Sequence, residues 1–316
     1  MTHWGVLGAA RINQHVLEGA ALAEGASVVA IAARDRDRAQ AQADAFGIGT
    51  VYGSYEELLG DPEIDAVYIP LPNSLHVPWS VRALEAGKHV LCEKPLARSE
   101  SEARRAFAAA RAAGKLLMEA FMWRHTAQTK RLAELLAGGA VGRVRMVRAT
   151  FGFLLDREVD VRLSYELEGG ALMDVGCYCV SAARLVAGEP VHVRAEQVTG
   201  GDGVDVRLAA TMRFADDVLA VIDCALDAPL GHRLSIVGED GELVLEDPFH
   251  ARTPGIVRLG GQSPQSHEVP FVNPYAAQFE NFSAAVRGEA EPLLGARDAV
   301  AQAAAIEALY RSAGAT

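Results

Sequence analysis

Residues 66–95, AVYIPLPNSLHVPWSVRALEAGKHVLCEKP, constrain the fold more than any other stretch. The opening AVYI is apolar throughout, as a strand covered on both faces must be, and Pro70 and Pro72 stop it because proline has no donor for a sheet ladder. Residues 78–86 space Val81 and Leu84 as a helix does, Gly87 stops that helix, and His89-Val90-Leu91-Cys92 is a second β-prone run. Together they read as one βαβ unit. In an open α/β sheet the ligand crevice lies outside the carboxyl ends of the strands, so Lys94, directly after the second strand, points into a site. A solvated loop lysine is the plainer reading of the residue taken alone.

The same alternation fills the first 121 residues. Residues 4–7 run as a strand into the turn Gly8-Ala9-Ala10-Arg11-Ile12, and residues 13–23 have helical character. Such a strand–turn–helix presents backbone N–H groups and a helix N-terminus to a pyrophosphate. Gly8 holds the first position of the G-x-G-x-x-G fingerprint, while Ala10 and Asn13 replace the second and third glycines. A plain β-to-α connection would look alike; the place of the turn at the head of a βαβ series points to a dinucleotide. At the end of the next strand, residues 27–33, a ribose-binding carboxylate is usual, but Arg34 stands there, followed by Asp35 and, one helical turn on, Arg38. A guanidinium suits a 2′-phosphate, which favours NADP; Asp35 keeps NAD open. Residues 38–46 form a helix ended by Gly47, 51–52 a short strand, and 55–59 a helix capped by Ser54. A helix over 99–113 and a strand over 115–121 complete a mostly parallel Rossmann sheet with helices on both faces.

After residue 121 the pattern changes. Trp123-Arg124-His125 opens a helix that reaches Leu136, and β-prone segments follow at 143–154, 191–198, 204–214, 218–226, 233–237 and 242–245. Asp216-Asp217 and Glu239-Asp240-Gly241 lie between them at hairpin spacing, which specifies a large open, mainly antiparallel sheet. Residues 273–313 return to helix, with Tyr275, Phe279 and Phe282 as core. The fold class is α/β in two domains, 1–121 for a dinucleotide and 122–316 for substrate and oligomerisation, with the last helix free to pack back on the first; 316 residues at ~150 per domain agree. A net charge of −11 argues against a nucleic-acid partner, which would demand a clustered basic surface. No run approaches the ~20 apolar residues of a membrane span, and the amino terminus lacks a secretory pattern, so a cytoplasmic protein is expected. Cys92, Cys177, Cys179 and Cys224 show no CxxC pairing and no histidine at zinc-ligand spacing. They read as free buried thiols, and no metal site is expected.

Residues 169–178, GGALMDVGCY, start a helix at a glycine pair and put Asp174 and Tyr178 four apart on one face. IPLPNSLH, then AGKHVLCEKPLA, then this segment, together resemble the Gfo/Idh/MocA family of nicotinamide-dependent sugar and cyclitol oxidoreductases. A tyrosine at 178, where many members have histidine, resembles the branch with xylose and dihydrodiol dehydrogenases and sugar 3-ketoreductases. The resemblance implies that Lys94 is catalytic and that Leu71, Pro72, Asn73 and His76 line the nicotinamide-side phosphate and ribose. It also implies that Glu93 faces the nicotinamide, that Trp123 and Arg124 border its pocket, and that Arg162 matches an arginine of that branch. His76 can equally be a hydrogen-bonded loop histidine. The reaction implied is hydride transfer at a secondary carbinol or hemiacetal carbon of a sugar-like small molecule, in a homodimer or homotetramer formed through the second sheet. Such a transfer needs a proton acceptor on the substrate oxygen and a cation to stabilise the alkoxide. Tyr178 takes the first role and Lys94 the second, with Asp174 orienting Lys94 or a second hydroxyl; Lys94 as the proton donor is the alternative. A non-catalytic NADP-sensing protein of the same fold is the rival.

Overall fold

The computed structural model describes residues 1–156, 160–250, 252, 256–259 and 265–314. Six short strands, β1 (Thr2–Leu7), β2 (Ala26–Ala32), β3 (Thr50–Tyr52), β4 (Ala66–Ile69), β5 (His89–Glu93) and β6 (Leu117–Ala120), pair in parallel in the order β3-β2-β1-β4-β5-β6. Strand order reverses between β1 and β4, and the crevice at such a reversal is where an open sheet takes a ligand. The helices α1 (Asn13–Leu22), α2 (Arg36–Phe46), α3 (Tyr55–Leu59), α4 (His76–Glu85) and α5 (Glu100–Ala113) cover the sheet, and all four residues of β4 are buried. Side-chain caps set the starts: Ser54 accepts from Glu57 N, Ser99 from Glu102 N, and Asp35 from Arg38 N. The last of these starts α2 at Arg36, two residues earlier than the spacing suggests. Gly47 and Gly114 end α2 and α5 with left-handed backbone.

The described chain divides into two units, Met1–His125 with Asn273–Val300, and Thr126–Val272 with Ala301–Thr316. The expected single helix over 273–313 is two, α8 (Pro274–Val286) and α9 (Ala296–Ser312), interrupted by Gly288, Pro292 and Gly295. Phe279 and Phe282 of α8 are fully buried against Trp4 of β1, with ring centroids 4.6 and 5.7 Å apart, and Trp4 Nε1 donates to Ser283 Oγ at 3.1 Å. The helix expected from Trp123 onward is also divided: a 3₁₀ turn at Met122–His125 precedes α6 (Ala127–Ala137), because Thr126 is extended and accepts from Thr129 N as N-cap.

The second unit is built on an eight-stranded sheet. Its strands are β7 (Val144–Leu154), β8 (His192–Thr199), β9 (Asp205–Arg213), β10 (Leu219–Ala225), β11 (Asp227–Gly238), β12 (Glu242–Leu245), β13 (Ile256–Leu259) and β14 (Gln265–Glu268), in the order β14-β13-β12-β11-β7-β10-β9-β8. All neighbours are antiparallel except β7 and β10, which run parallel. The sequence reading lacks β13 and β14: β14 is QSHE, with no apolar alternation to reveal it. Ala149, Phe151, Leu208, Ala210, Met212, Ile222 and Cys224 are buried on one face of the sheet, and α7 (Cys177–Ala187) packs there.

Candidate active site

The first cluster lies at the carboxyl ends of β1, β2, β4 and β5. Gly8 leaves β1 with φ +128°, a conformation open to glycine, and a Cβ there would sit 3.1 Å from Leu71 Cδ2. The carbonyls of the turn are occupied from behind: Asn13 Nδ2 donates to Gly8 O at 2.8 Å, Arg38 Nη2 to Ala9 O at 2.7 Å, and Gln42 Nε2 to Ala10 O at 3.1 Å. Asn13, fully buried where the fingerprint has its third glycine, braces the turn. Arg11 is exposed on the turn, and Ile12 occupies the N-cap position of α1 without a side-chain cap. An uncapped helix start beside a glycine that admits close backbone approach fits a pyrophosphate. Arg34 is exposed just past β2, and its positive charge near Tyr55 opposes the rise that burial gives that phenol's pKa. A guanidinium so placed fits a 2′-phosphate. Arg38 gives one guanidinium N–H to Ala9 O and so also braces the turn.

Leu71 and Pro72 lead from β4 into a 3₁₀ turn, Asn73–Leu75, all half-buried. His76, the first residue of α4, is 1% exposed, with Nδ1 2.8 Å from Pro95 O and Nε2 2.7 Å from Leu71 O. Burial lowers its pKa to about 4 against the help of both carbonyls, so the ring is a neutral tie between two loops. Glu93 and Lys94 are half-buried where β5 ends, and the Lys94–Pro95 peptide is cis. The buried Tyr68 hydroxyl donates to Glu93 Oε1 at 2.8 Å, and Lys94 N donates to Glu93 Oε2 at 3.2 Å. Glu119, 1% exposed, accepts from Leu96 N at 2.7 Å. The E-K-P loop is thus anchored on both sides of Lys94 by Tyr68, His76 and Glu119. Only His76 among these was singled out from sequence, although a glutamate inside the buried strand LMEA is a readable signal of an anchoring carboxylate. Trp123 is fully buried, and Arg124 pairs with Asp298 at 3.5 Å.

The second cluster belongs to the second unit. Residues Leu172–Gly176 form a π-helical turn that runs into α7, so Asp174 and Tyr178 are joined by a π-to-α junction rather than the regular helix the spacing suggests. Such turns concentrate at functional sites. Gly170 has φ +120°, and a Cβ there would collide with Asp205 Oδ1. That close approach lets Asp205 accept from Leu172 N at 2.7 Å and from Tyr310 Oη at 2.8 Å, fixing the start of the turn. Asp174 Oδ2 accepts from Arg162 Nε at 2.7 Å, while Arg162 Nη1 donates to Asp160 Oδ1 at 3.2 Å. Arg162 is therefore held between two carboxylates, first of all Asp174, which raises its pKa. Tyr178, 7% exposed, stands edge-on to Phe151 at 5.5 Å and tilted on Phe249 at 5.4 Å. Asp205 and Asp160 carry no motif of their own and escaped the sequence reading.

The family profile described as "Oxidoreductase family, NAD-binding Rossmann fold" matches residues 2–121, and the "GFO/IDH/MocA C-terminal domain" profile matches residues 129–244. The chain belongs to the Gfo/Idh/MocA family. Among curated members of that family it is 39% identical to D-xylose 1-dehydrogenase (NADP(+)) 2 of Haloferax volcanii, over 98% of this chain and 97% of the relative. It is 35% identical to a trans-1,2-dihydrobenzene-1,2-diol dehydrogenase of Danio rerio, over 83% and 79% of the two chains. Among solved Gfo/Idh/MocA structures, the 3-ketoreductase KijD10 of Actinomadura kijaniata in complex with NADP and TDP-benzene matches with TM-score 0.93 and 32% identity, covering 98% of this chain and 97% of that one. Variants of KijD10 with a tyrosine changed to phenylalanine and with a lysine changed to alanine have also been solved with the same ligands.

Proposed function

We propose that this Gfo/Idh/MocA protein is an NADP(H)-dependent oxidoreductase acting on the carbinol or carbonyl carbon of a sugar, keto-sugar or related polyol. The observation that carries the reading is the joint presence of Lys94 and Tyr178: in KijD10 the substituted lysine and tyrosine lie as many positions apart as these two do here. The turn at Gly8 to Ile12 would receive the pyrophosphate and Arg34 the 2′-phosphate. NADP(H), when bound, supplies the hydride-transferring nicotinamide. Tyr178 exchanges a proton with the substrate oxygen. The Lys94 ammonium offsets the negative charge on that oxygen in the transition state. Asp174, which accepts a hydrogen bond from Arg162, orients Lys94 or holds a second substrate hydroxyl.

A panel of aldoses, keto-sugars and diols, read at nicotinamide absorbance with NADP and NAD in parallel, tests the reading. Lys94→Met and Tyr178→Phe at saturating cofactor should each lose ~10²- to 10⁴-fold in kcat, the range of a general acid–base contribution. Near wild-type turnover in both removes the scheme.

Two further proposals concern surroundings. Val198, Leu219 and Val221 stand exposed on the sheet face opposite α7, which supports self-association through that sheet; Val221→Glu should shift the sedimentation coefficient toward monomer. All four cysteines are free and buried, and among the described residues no helix is long and apolar enough to cross a membrane. A reducing, cytoplasmic location accords with the thiols, and fractionation of the source cells tests it.

A further inference from the structure

Three metal-ligating side chains meet in the second unit, outside the groups given a catalytic role. His232 lies on β11, directly across from Phe151 of β7 in the ladder, and Asp247 and His250 lie in the turn that follows β12. One ligand atom from each of His232, Asp247 and His250 falls within 4.8 Å of the others. His232 Nδ1 and Asp247 Oδ1 are 3.2 Å apart, and both atoms are buried without a hydrogen bond of acceptable geometry. The other carboxylate oxygen of Asp247 accepts from Arg252 N at 3.1 Å, which orients the free oxygen toward the imidazole. The imidazole rings of His232 and His250 are 4.9 Å apart and edge-to-face, and both rest on Phe151, at 5.3 and 5.2 Å.

We propose that His232, Asp247 and His250 form a binding site for a divalent cation of the zinc or cobalt class. Two imidazole nitrogens and one carboxylate oxygen are a donor set these borderline ions accept, with a fourth position left to water. Metal–ligand bonds of ~2.0–2.2 Å in a tetrahedron place donor atoms roughly 3.4 Å apart. The His232–Asp247 pair already has that spacing, so ring rotation and a small shift of His250 complete the site. An ion here ties the 247–250 turn to β11. It also fixes the stacked pair Phe151 and Phe249, 5.4 Å apart, on which the Tyr178 ring leans. The ligands come from a strand and a separate turn, so spacing along the chain gives no sign of them. The inference does not depend on the oxidoreductase reading, because its readouts are metal content and spectrum.

The test is titration of chelator-treated, full-length protein with Co²⁺, followed by visible absorption and by metal content after gel filtration. One equivalent per chain with an intense four-coordinate spectrum is expected, together with a rise in the thermal midpoint. Asp247→Asn and His250→Gln should each weaken binding at least 10-fold and abolish the spectrum. Their metal-free midpoints, compared with metal-free wild type, separate loss of the site from loss of fold. Absence of a bound equivalent in the wild type, or Co²⁺ retained with undiminished affinity by both variants, an adventitious ion only, overturns the proposal.

Discussion

Asp205→Ala tests whether one buried carboxylate sets the geometry of the Asp174–Tyr178 segment. Asp205 is 3% exposed and accepts from two donors, Leu172 N at the head of the π turn and the Tyr310 hydroxyl of α9. Alanine takes the Asp205 acceptor away from both donors, at ~1–3 kcal/mol each, so a loss of ~2–6 kcal/mol is expected. That is a large part of the ~5–15 kcal/mol that holds a typical domain folded. Asp205→Asn behaves differently. Its amide oxygen still accepts from Leu172 N, while its NH₂ donates to the Tyr310 oxygen, which can accept, so the cost should stay near ~1 kcal/mol. Urea unfolding of the two variants gives the stability difference, and kcat at saturating NADPH gives the functional one. Released from Leu172, the turn that carries Asp174 loosens, so Asp205→Ala should lose turnover well beyond Asp205→Asn. KM for NADPH should hold in both, because the pyrophosphate turn belongs to the other unit. Equal stability of the two variants, or full turnover in Asp205→Ala, would refute the reasoning.

Arg34→Ala should raise KM for NADP by ~10- to 100-fold and leave KM for NAD nearly unchanged, since a hydrogen bond to a charged group is worth ~1.5–3 kcal/mol; parallel initial-rate measurements with both cofactors decide it. His76 gives a pH dependence of known sign. Its folded pKa of about 4 lies below the ~6.5 of an unfolded histidine, so the unfolded chain binds the extra proton. Its contribution is complete above pH ~6.5 and is lost as pH falls toward 4, by up to ~3 kcal/mol. Urea midpoints between pH 7 and 4.5 should fall more steeply in wild type than in His76→Gln, and parallel slopes would show that the ring is not buried neutral.

The parallel sheet was legible in the chain because its signals are local: apolar runs of strand length, helical spacing between them, and Ser54, Ser99 and Gly47 at helix ends. Gly8, Lys94 and Tyr178 stood out for the same reason, each being fixed by the few residues around it. What the chain does not state is long-range. Residues 273–313 read as helix with Phe279 and Phe282 as core, but nothing near them states that these rings are for Trp4 at the far end of the chain. Arg38 also reaches Ala9 O, a contact that only the path of the turn creates. Nothing near Asp174 in the chain announces Arg162, whose Nε donates to it at 2.7 Å.

By itself, then, the sequence determined the strands and helices of the first 121 residues, the α/β class, and the family to which both halves conform, since these depend on periodicity over a few residues. Tertiary structure alone decided which charges and hydrogen-bonding groups face each other: Tyr68 on Glu93, Glu119 on Leu96, Asp205 beneath the π turn, His232 toward Asp247 and His250. Polar pairing is short-ranged in space and indifferent to separation along the chain, so it exists only once the packed elements have brought its partners within about 3 Å.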